Sequence, residues 1–221
     1  MSSLSSILSS VLVVVLVMVS IILHEVAHGL AAYALGDTTA RDAGRLSLNP
    51  FKHLDLFGSV LLPLALALVN GPVIGYAKPV PYNPDNLRNP RSGEVIVGLA
   101  GPLANLALAL AGAFLAHVAT VFLSVSPTFA YWFWQVSVYF VQVNLFLMFF
   151  NLIPLPPLDG SSIIFPLLRG NGRRVYYQIE RYSLPILIVV MIVVPWLFNV
   201  DPVGWYLNHT AMPLATFLVR L

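Results

Sequence analysis

The sequence predicts an all-α polytopic membrane protein, with about four transmembrane helices and a re-entrant element. Three observations predict it. Of 221 residues, 58% are hydrophobic and 9% charged, with mean hydropathy +0.85, whereas soluble domains carry about 25% charged residues. Four apolar stretches are long enough to cross a hydrocarbon core of about 30 Å, which takes about 20 helical residues. The basic residues gather between particular stretches instead of spreading along the chain. No repeat, low-complexity linker or insertion the size of a soluble domain interrupts this pattern. Residues 1–221 are therefore expected to form a single membrane-embedded domain, with a core over about 7–170 and a C-terminal helix over about 182–200. The net charge of +2 and the scatter of its cations argue against a nucleic-acid partner. Without cysteine there are no disulfides and no thiolate ligands, so any metal must be held by His and carboxylate.

The first stretch runs from about Ile7 to Leu35. Residues 1–10 carry no Lys or Arg and no small-residue cleavage pattern follows, so it is expected to be a retained helix and not a signal peptide. The second runs from about Val95 to Ala119, the third from Tyr131 to Phe150 and the fourth from Tyr182 to Val200. A further apolar stretch, about Gly58 to Tyr76, is broken by Pro63 and by Asn70-Gly71-Pro72. The tail from Ala211 to Leu221 is too short to span alone. Arg41, Arg45, Lys52, Lys78, Arg88 and Arg91 fall between the first and second helices; Arg169, Arg173, Arg174 and Arg181 fall between the third and fourth. The positive-inside rule makes both regions cytoplasmic and leaves the N-terminus and the Ser124 to Ala130 loop outside. Gly58 to Tyr76 must then enter and leave on one face, as a re-entrant element covered by protein or lining a wet cavity.

The chemistry is concentrated in His24-Glu25-Val26-Ala27-His28. Residues four apart share a helix face, so His24 and His28 can aim both imidazoles at one Zn2+, with Glu25 beside the bound water as general base. Five His and three Glu would produce this pattern by chance about once or twice in a thousand such chains. Each ionisable residue at mid-membrane also costs about 2.5 to 3.5 kcal/mol on insertion scales, which three clustered residues justify only by binding something. His28 lies about seven residues from the cytoplasmic helix end, on the order of 10 Å deep. A third ligand is needed at that depth, and Asp159 is the candidate. It follows Asn151-Leu152-Ile153-Pro154-Leu155-Pro156-Pro157-Leu158, where three prolines stop the third helix, and it precedes Gly160, which suits a sharp turn back.

These motifs, with Ala100-Gly101-Pro102-Leu103-Ala104-Asn105, resemble the site-2 protease family of intramembrane zinc metalloproteases. Gly44-Arg45-Leu46-Ser47-Leu48-Asn49-Pro50 and Gly75-Tyr76-Ala77-Lys78-Pro79-Val80-Pro81 look like its compact branch without PDZ or CBS modules, and the likeness covers about Leu12 to Gly170. The resemblance implies His24, His28 and Asp159 as ligands of one zinc ion per chain, Glu25 as catalytic carboxylate and Asn151 as a contact to the substrate backbone. It implies an endopeptidase that cuts in or near transmembrane segments of membrane proteins, such as anchored regulators or signal-peptide remnants. Its partners would be those segments and the lipid bilayer, with a homo-oligomer left open. The substrate segment, once unwound, is expected to be held as an added strand near Pro79 to Pro84 or at the edge of the re-entrant element.

Other polar residues have plainer readings. His53 reads as an interfacial loop histidine, and Asn105 as a bond to a neighbouring helix or the re-entrant backbone in preference to a role near the metal. Gln142 and Asn144 suit interhelical packing. His117 and His209 are expected toward the opposite membrane face. Asp201 reads as a loop residue, and the Arg169 to Arg174 cluster as a topology signal able to touch anionic lipid. The alternative function is a non-proteolytic metal-binding scaffold or metal carrier on the same fold. A carrier would need ligands spread along a path across the bilayer, and an inactive scaffold would have little use for Glu25.

Overall fold

The computed structural model describes residues 3–61, 64, 77–168 and 170–220. Helices dominate and no strand occurs among the described residues, as the composition predicts. They are α1 (Ser3–Ala34), α2 (Thr39–Asp42), α3 (Pro90–Val121), α4 (Pro127–Asn151), α5 (Asp159–Ile164), α6 (Asn171–Arg181), α7 (Ser183–Ile188), α8 (Val194–Phe198) and α9 (Pro202–Arg220). Among the described residues three helical stretches, Val11–Ala34, Pro90–Val121 and Pro127–Asn151, are long and apolar enough to cross a membrane unaided.

Local signals set the helix ends. Asn89 precedes Pro90, and its side chain accepts from the Ser92 N–H while Pro90 fills the first position of α3, where a missing N–H costs nothing. The same Asn-Pro device opens short 310 turns at Pro50–Lys52 and Pro84–Asn86. α4 stops at Asn151, immediately before the run containing Pro154, Pro156 and Pro157, as their chemistry requires.

α3 is the hub of the bundle, packing against α1, α4, α5 and α9. Its contact with α4 is the most extensive, and small residues make it so. Ala109, Gly112, Ala113 and Ala116 are buried, and a Cβ on Gly112 would lie 3.0 Å from Val141 Cγ2. Close backbone approach of this kind replaces the hydrophobic effect where the solvent is itself apolar. Ala109, Ala113, Val141, Leu145, Met148, Ala211, Ala215 and Leu218 form the main core of α3, α4 and α9.

The C-terminal region refines the expected fourth span: Tyr182 to Val200 is helical from Ser183 to Phe198, and the run continues beyond a bend into α9. α7 passes through a π turn at Val189–Val193 into α8, which ends with Asn199 in the left-handed region at φ 53°. Asp201 then accepts from the Gly204 N–H and Pro202 opens α9, so Pro185–Phe198 and α9 meet at 108°. The tail treated as too short belongs to this 19-residue helix, which packs on α4 and α3. A helix stop at Asn199 followed by Asp-Pro is a readable restart signal.

The proposed re-entrant stretch lies mostly outside the described residues, which include only a π turn at Leu56–Leu61 and Leu64. Its flanks are described, however. The Lys78 N–H donates to the His53 carbonyl at 2.9 Å, so the chain returns to the place it left. Around these flanks Asp37 gathers the loop. Its carboxylate accepts from the Thr39 N–H and hydroxyl, the Asn83 N–H and the Asn86 amide. Burial pushes this carboxyl up, but the four donors outweigh it and hold it at about 2.

Candidate metal centre

His24 and His28 lie in the last three turns of α1, facing the first half of α3 and the start of α5. His24 Nε2 stands 3.0 Å from His28 Nε2 and 3.0 Å from Asp159 Oδ2, and His28 Nε2 stands 3.3 Å from Asp159 Oδ1. These are the one group among the described residues whose donor atoms could together hold a metal ion. The sequence named all three, and the structure brings them together across 135 positions.

The donor set fits zinc. The His28 Nδ1–H donates to the Val97 carbonyl at 2.7 Å, and the His24 Nδ1–H donates to Asn105 Oδ1. Both rings therefore have their other nitrogen committed as donor, which turns each Nε2 lone pair toward the centre. Asp159 Oδ2 is buried and accepts no hydrogen bond. Zinc bonds of about 2.0–2.1 Å at tetrahedral angles place ligand atoms roughly 3.3 Å apart, close to the separations here.

Space for an ion is kept by Gly101 on α3. A Cβ at that position would fall 2.5 Å from His24 Cε1 and 2.6 Å from His24 Nε2, and against His28 Nε2 as well. Gly160 has a comparable purpose at Asp159. The sequence suggested that Gly160 suits a sharp turn back; its φ is not positive, and what demands glycine is that a side chain there would collide with the Leu152 and Ile153 carbonyls. Bare backbone lets the first turn of α5 lie flush on the end of α4, which returns Asp159 to α1.

Asn105 is the residue that sequence reasoning undervalued. It is fully buried and does bond a neighbouring helix, its amide donating to Asn144 Oδ1 at 2.9 Å, but its oxygen serves His24 at the same time. Asn144, also fully buried, donates to the Phe140 carbonyl. A chain of buried amides thus runs from the α4 backbone to a histidine on α1. The available signal was spacing, since Asn105 follows Gly101 by four residues and shares its helix face.

Glu25 is half-buried, and its Oε2 accepts from the Val80 N–H at 2.9 Å. The segment expected to receive substrate as an added strand therefore spends a donor on this carboxylate. Asn151 stands at the end of α4 with its amide donating to the Leu147 carbonyl, outside the His-His-Asp group. His53 is a loop histidine, as expected, but it is covered by protein. It is 2% exposed, with Nε2 donating to the Ser47 carbonyl. His117 bonds the Ala113 carbonyl on the far half of α3, as expected. His209 was expected at that far face as well. It instead lies one turn beyond Tyr206, whose hydroxyl donates to the Phe149 carbonyl near the site end of α4, and it is exposed and outside the group.

The model of peptidase family M50 matches residues 12–132 and 117–194. The Bacillus subtilis (strain 168) protein named "Putative zinc metalloprotease YwhC" is 41% identical over 168 residues, covering 76% of this chain and 74% of that protein. Two proteins named "Putative zinc metalloprotease Rip2" are also similar. That of Mycolicibacterium smegmatis is 28% identical over 208 residues and that of Mycobacterium tuberculosis (strain H37Rv) 29% over 200; each comparison covers 86% of this chain and 74% of the relative. No solved structure matches the chain.

Proposed function

The chain belongs to peptidase family M50, the site-2 protease family, and on that premise we propose that it is an intramembrane zinc metalloendopeptidase hydrolysing peptide bonds in or near transmembrane segments. The observation that carries this reading is the convergence of His24, His28 and Asp159 at one end of an apolar helix bundle. Such a cluster has no structural use in an apolar solvent that would justify its cost.

His24, His28 and Asp159 would hold the ion. Zinc, when bound, polarises the scissile carbonyl and lowers the pKa of a water to about 7. Glu25 takes a proton from the water as its oxygen adds to the carbonyl carbon, and then returns that proton to the amine nitrogen, which leaves as the C–N bond breaks. Asn151, at the end of α4, keeps one amide hydrogen and its oxygen for the substrate backbone. A substrate helix satisfies its own backbone and must unwind locally to make these bonds.

Charge placement supports an orientation in which the site end of the bundle faces the cytoplasm. α1 and α4 end there, and α3 and α9 begin there. Ten of the eleven basic residues then fall on that side and Arg220 on the other. The whole chain acts as one membrane domain. A metal carrier is disfavoured because one ligand cluster at one end makes no path across a bilayer.

The test is cleavage of a model transmembrane substrate by purified protein. Activity should vanish with Glu25→Gln and with a chelator, and return when zinc is restored. Activity that survives Glu25→Gln would overturn the mechanism, and zinc-loaded protein without activity on such segments would favour a scaffold.

A further inference from the structure

The metal ligands are positioned from α1, α3 and α5, but Glu25 is held from elsewhere. Its partner, the Val80 N–H, comes from 55 positions later in the chain. Pro79 and Pro81 have no N–H and bias Lys78 and Val80, which precede them, to extended backbone. The donors of segment 77–82 therefore alternate, and two are already committed: Lys78 N–H to the His53 carbonyl and Val80 N–H to Glu25. The segment is clamped from its carbonyl side too. Arg45 Nη2 donates to the Lys78 carbonyl at 2.7 Å and to the Pro79 carbonyl at 3.3 Å. Arg45 is 8% exposed and its Nε is buried with no partner, and its side-chain bonds go to this segment. Gly29, one turn after Glu25, completes the arrangement. A Cβ there would lie 2.6 Å from Leu46 Cδ2 and 2.8 Å from Val80 Cγ1, so bare backbone lets both side chains rest on α1.

We infer that segment 77–82, clamped by Arg45, is the positioning element for Glu25, and that Arg45 is a positioning residue for the reaction. This rests on the reading of Glu25 as general base. A glutamate has three side-chain torsions, and a carboxylate free to turn spends most of its time misdirected. The Val80 N–H occupies Oε2 and leaves Oε1 for proton transfer. Beyond Ala77 the edge carrying Pro79 and Pro81 offers no donors, so segment 78–82 serves the enzyme's carboxylate and not a substrate strand on that edge.

Hydrogen exchange tests the contact without catalysis. In a peptide from Lys78 to Tyr82 only Val80 and Tyr82 carry amides that report, because Pro79 and Pro81 have none and the first is lost on cleavage. Full-length zinc-loaded Glu25→Ala should exchange there about tenfold faster than wild type or more, since a bond to a charged acceptor is lost. Arg45→Ala should show the same rise. Its kcat should fall about 10- to 100-fold, with KM within about twofold and zinc retained, and Arg45→Lys should recover part of the loss. Arg41→Ala, an exposed change in the same loop, should alter none of these. Should Arg45→Ala fail to fold, Arg45→Lys and Gly29→Ala carry the test with the same directions. Unchanged exchange in Glu25→Ala overturns the inference, as does an Arg45 effect confined to KM or to lost zinc. If zinc-loaded wild type cleaves no transmembrane segment, the proposed function fails, while the exchange result still decides whether the segment holds Glu25.

Discussion

Replacing Asn105 by alanine separates what holds the metal from what holds the helices. In the wild type, the amide accepts from His24 Nδ1 and donates to Asn144 Oδ1, with both asparagines fully buried. Asn105→Ala strands the His24 N–H and the Asn144 oxygen in a dry interior, each at a cost of about 1 to 3 kcal/mol. The two losses appear in different measurements. The Asn144 oxygen is orphaned with or without the ion, so its cost falls on folding stability. His24, freed to rotate, must be re-oriented each time the ion binds, and losing such an outer partner weakens metal affinity about 10- to 100-fold, or roughly 1.4 to 2.7 kcal/mol. Asn105→Asp keeps an acceptor for His24 but sets a carboxylate against the Asn144 oxygen, so it should keep most of the affinity while losing stability. The assay is competition for zinc with a chromophoric chelator in detergent, paired with thermal melting followed by tryptophan fluorescence. If Asn105→Ala binds zinc within about threefold of wild type, the buried amides do not orient His24 and the reasoning fails.

Gly101→Ala should give a folded protein that retains no zinc after dialysis, because the added methyl takes the space between the two Nε2 atoms; near-stoichiometric zinc by elemental analysis would contradict it. Asp37 has its carboxyl held at about 2, below its ordinary 3.8, so its stabilisation is present above about pH 4 and is lost as pH falls through 2. Its cover comes from its own loop partners and not from deep protein, so screening leaves about 1 to 2 kcal/mol. Melting of the wild type should therefore drop more steeply between pH 4 and 2 than that of Asp37→Asn, and parallel curves would refute the assignment. Asp201→Ala should lower stability by about 1 kcal/mol through loss of the α9 cap, while Asn199→Gly should be close to neutral because either residue tolerates positive φ. Equal melting of Asp201→Ala and wild type would show that the bend is held by packing alone.

Much of the fold was legible because its signals are local. The spans follow from apolar length, and α3 and α4 end where Asn-Pro, Ser-Pro and the Pro154–Pro157 run dictate. In the C-terminal region the stop at Val200 was legible, but Asp201-Pro202 was not weighed as a restart, so the tail was counted only from Ala211. That omission left α9 out of the bundle and displaced His209 with it. At the site, HEVAH announced two donors through helix periodicity. Asp159 was legible from depth and orientation, once the charges had fixed which helix ends share a face.

The sequence by itself determined the solvent, the first three spans and the candidate ligands His24, His28 and Asp159, because composition and short-range periodicity are properties of consecutive residues. Only the tertiary structure decided that Asn105 orients His24, that Gly101 leaves room for an ion between the ligands, that Gly160 works by thinness and not by φ, and that Val80 bonds Glu25. Each of those depends on the distance between chain segments tens of residues apart, and backbone approach at that range is set by the packing of whole helices, which no local pattern encodes.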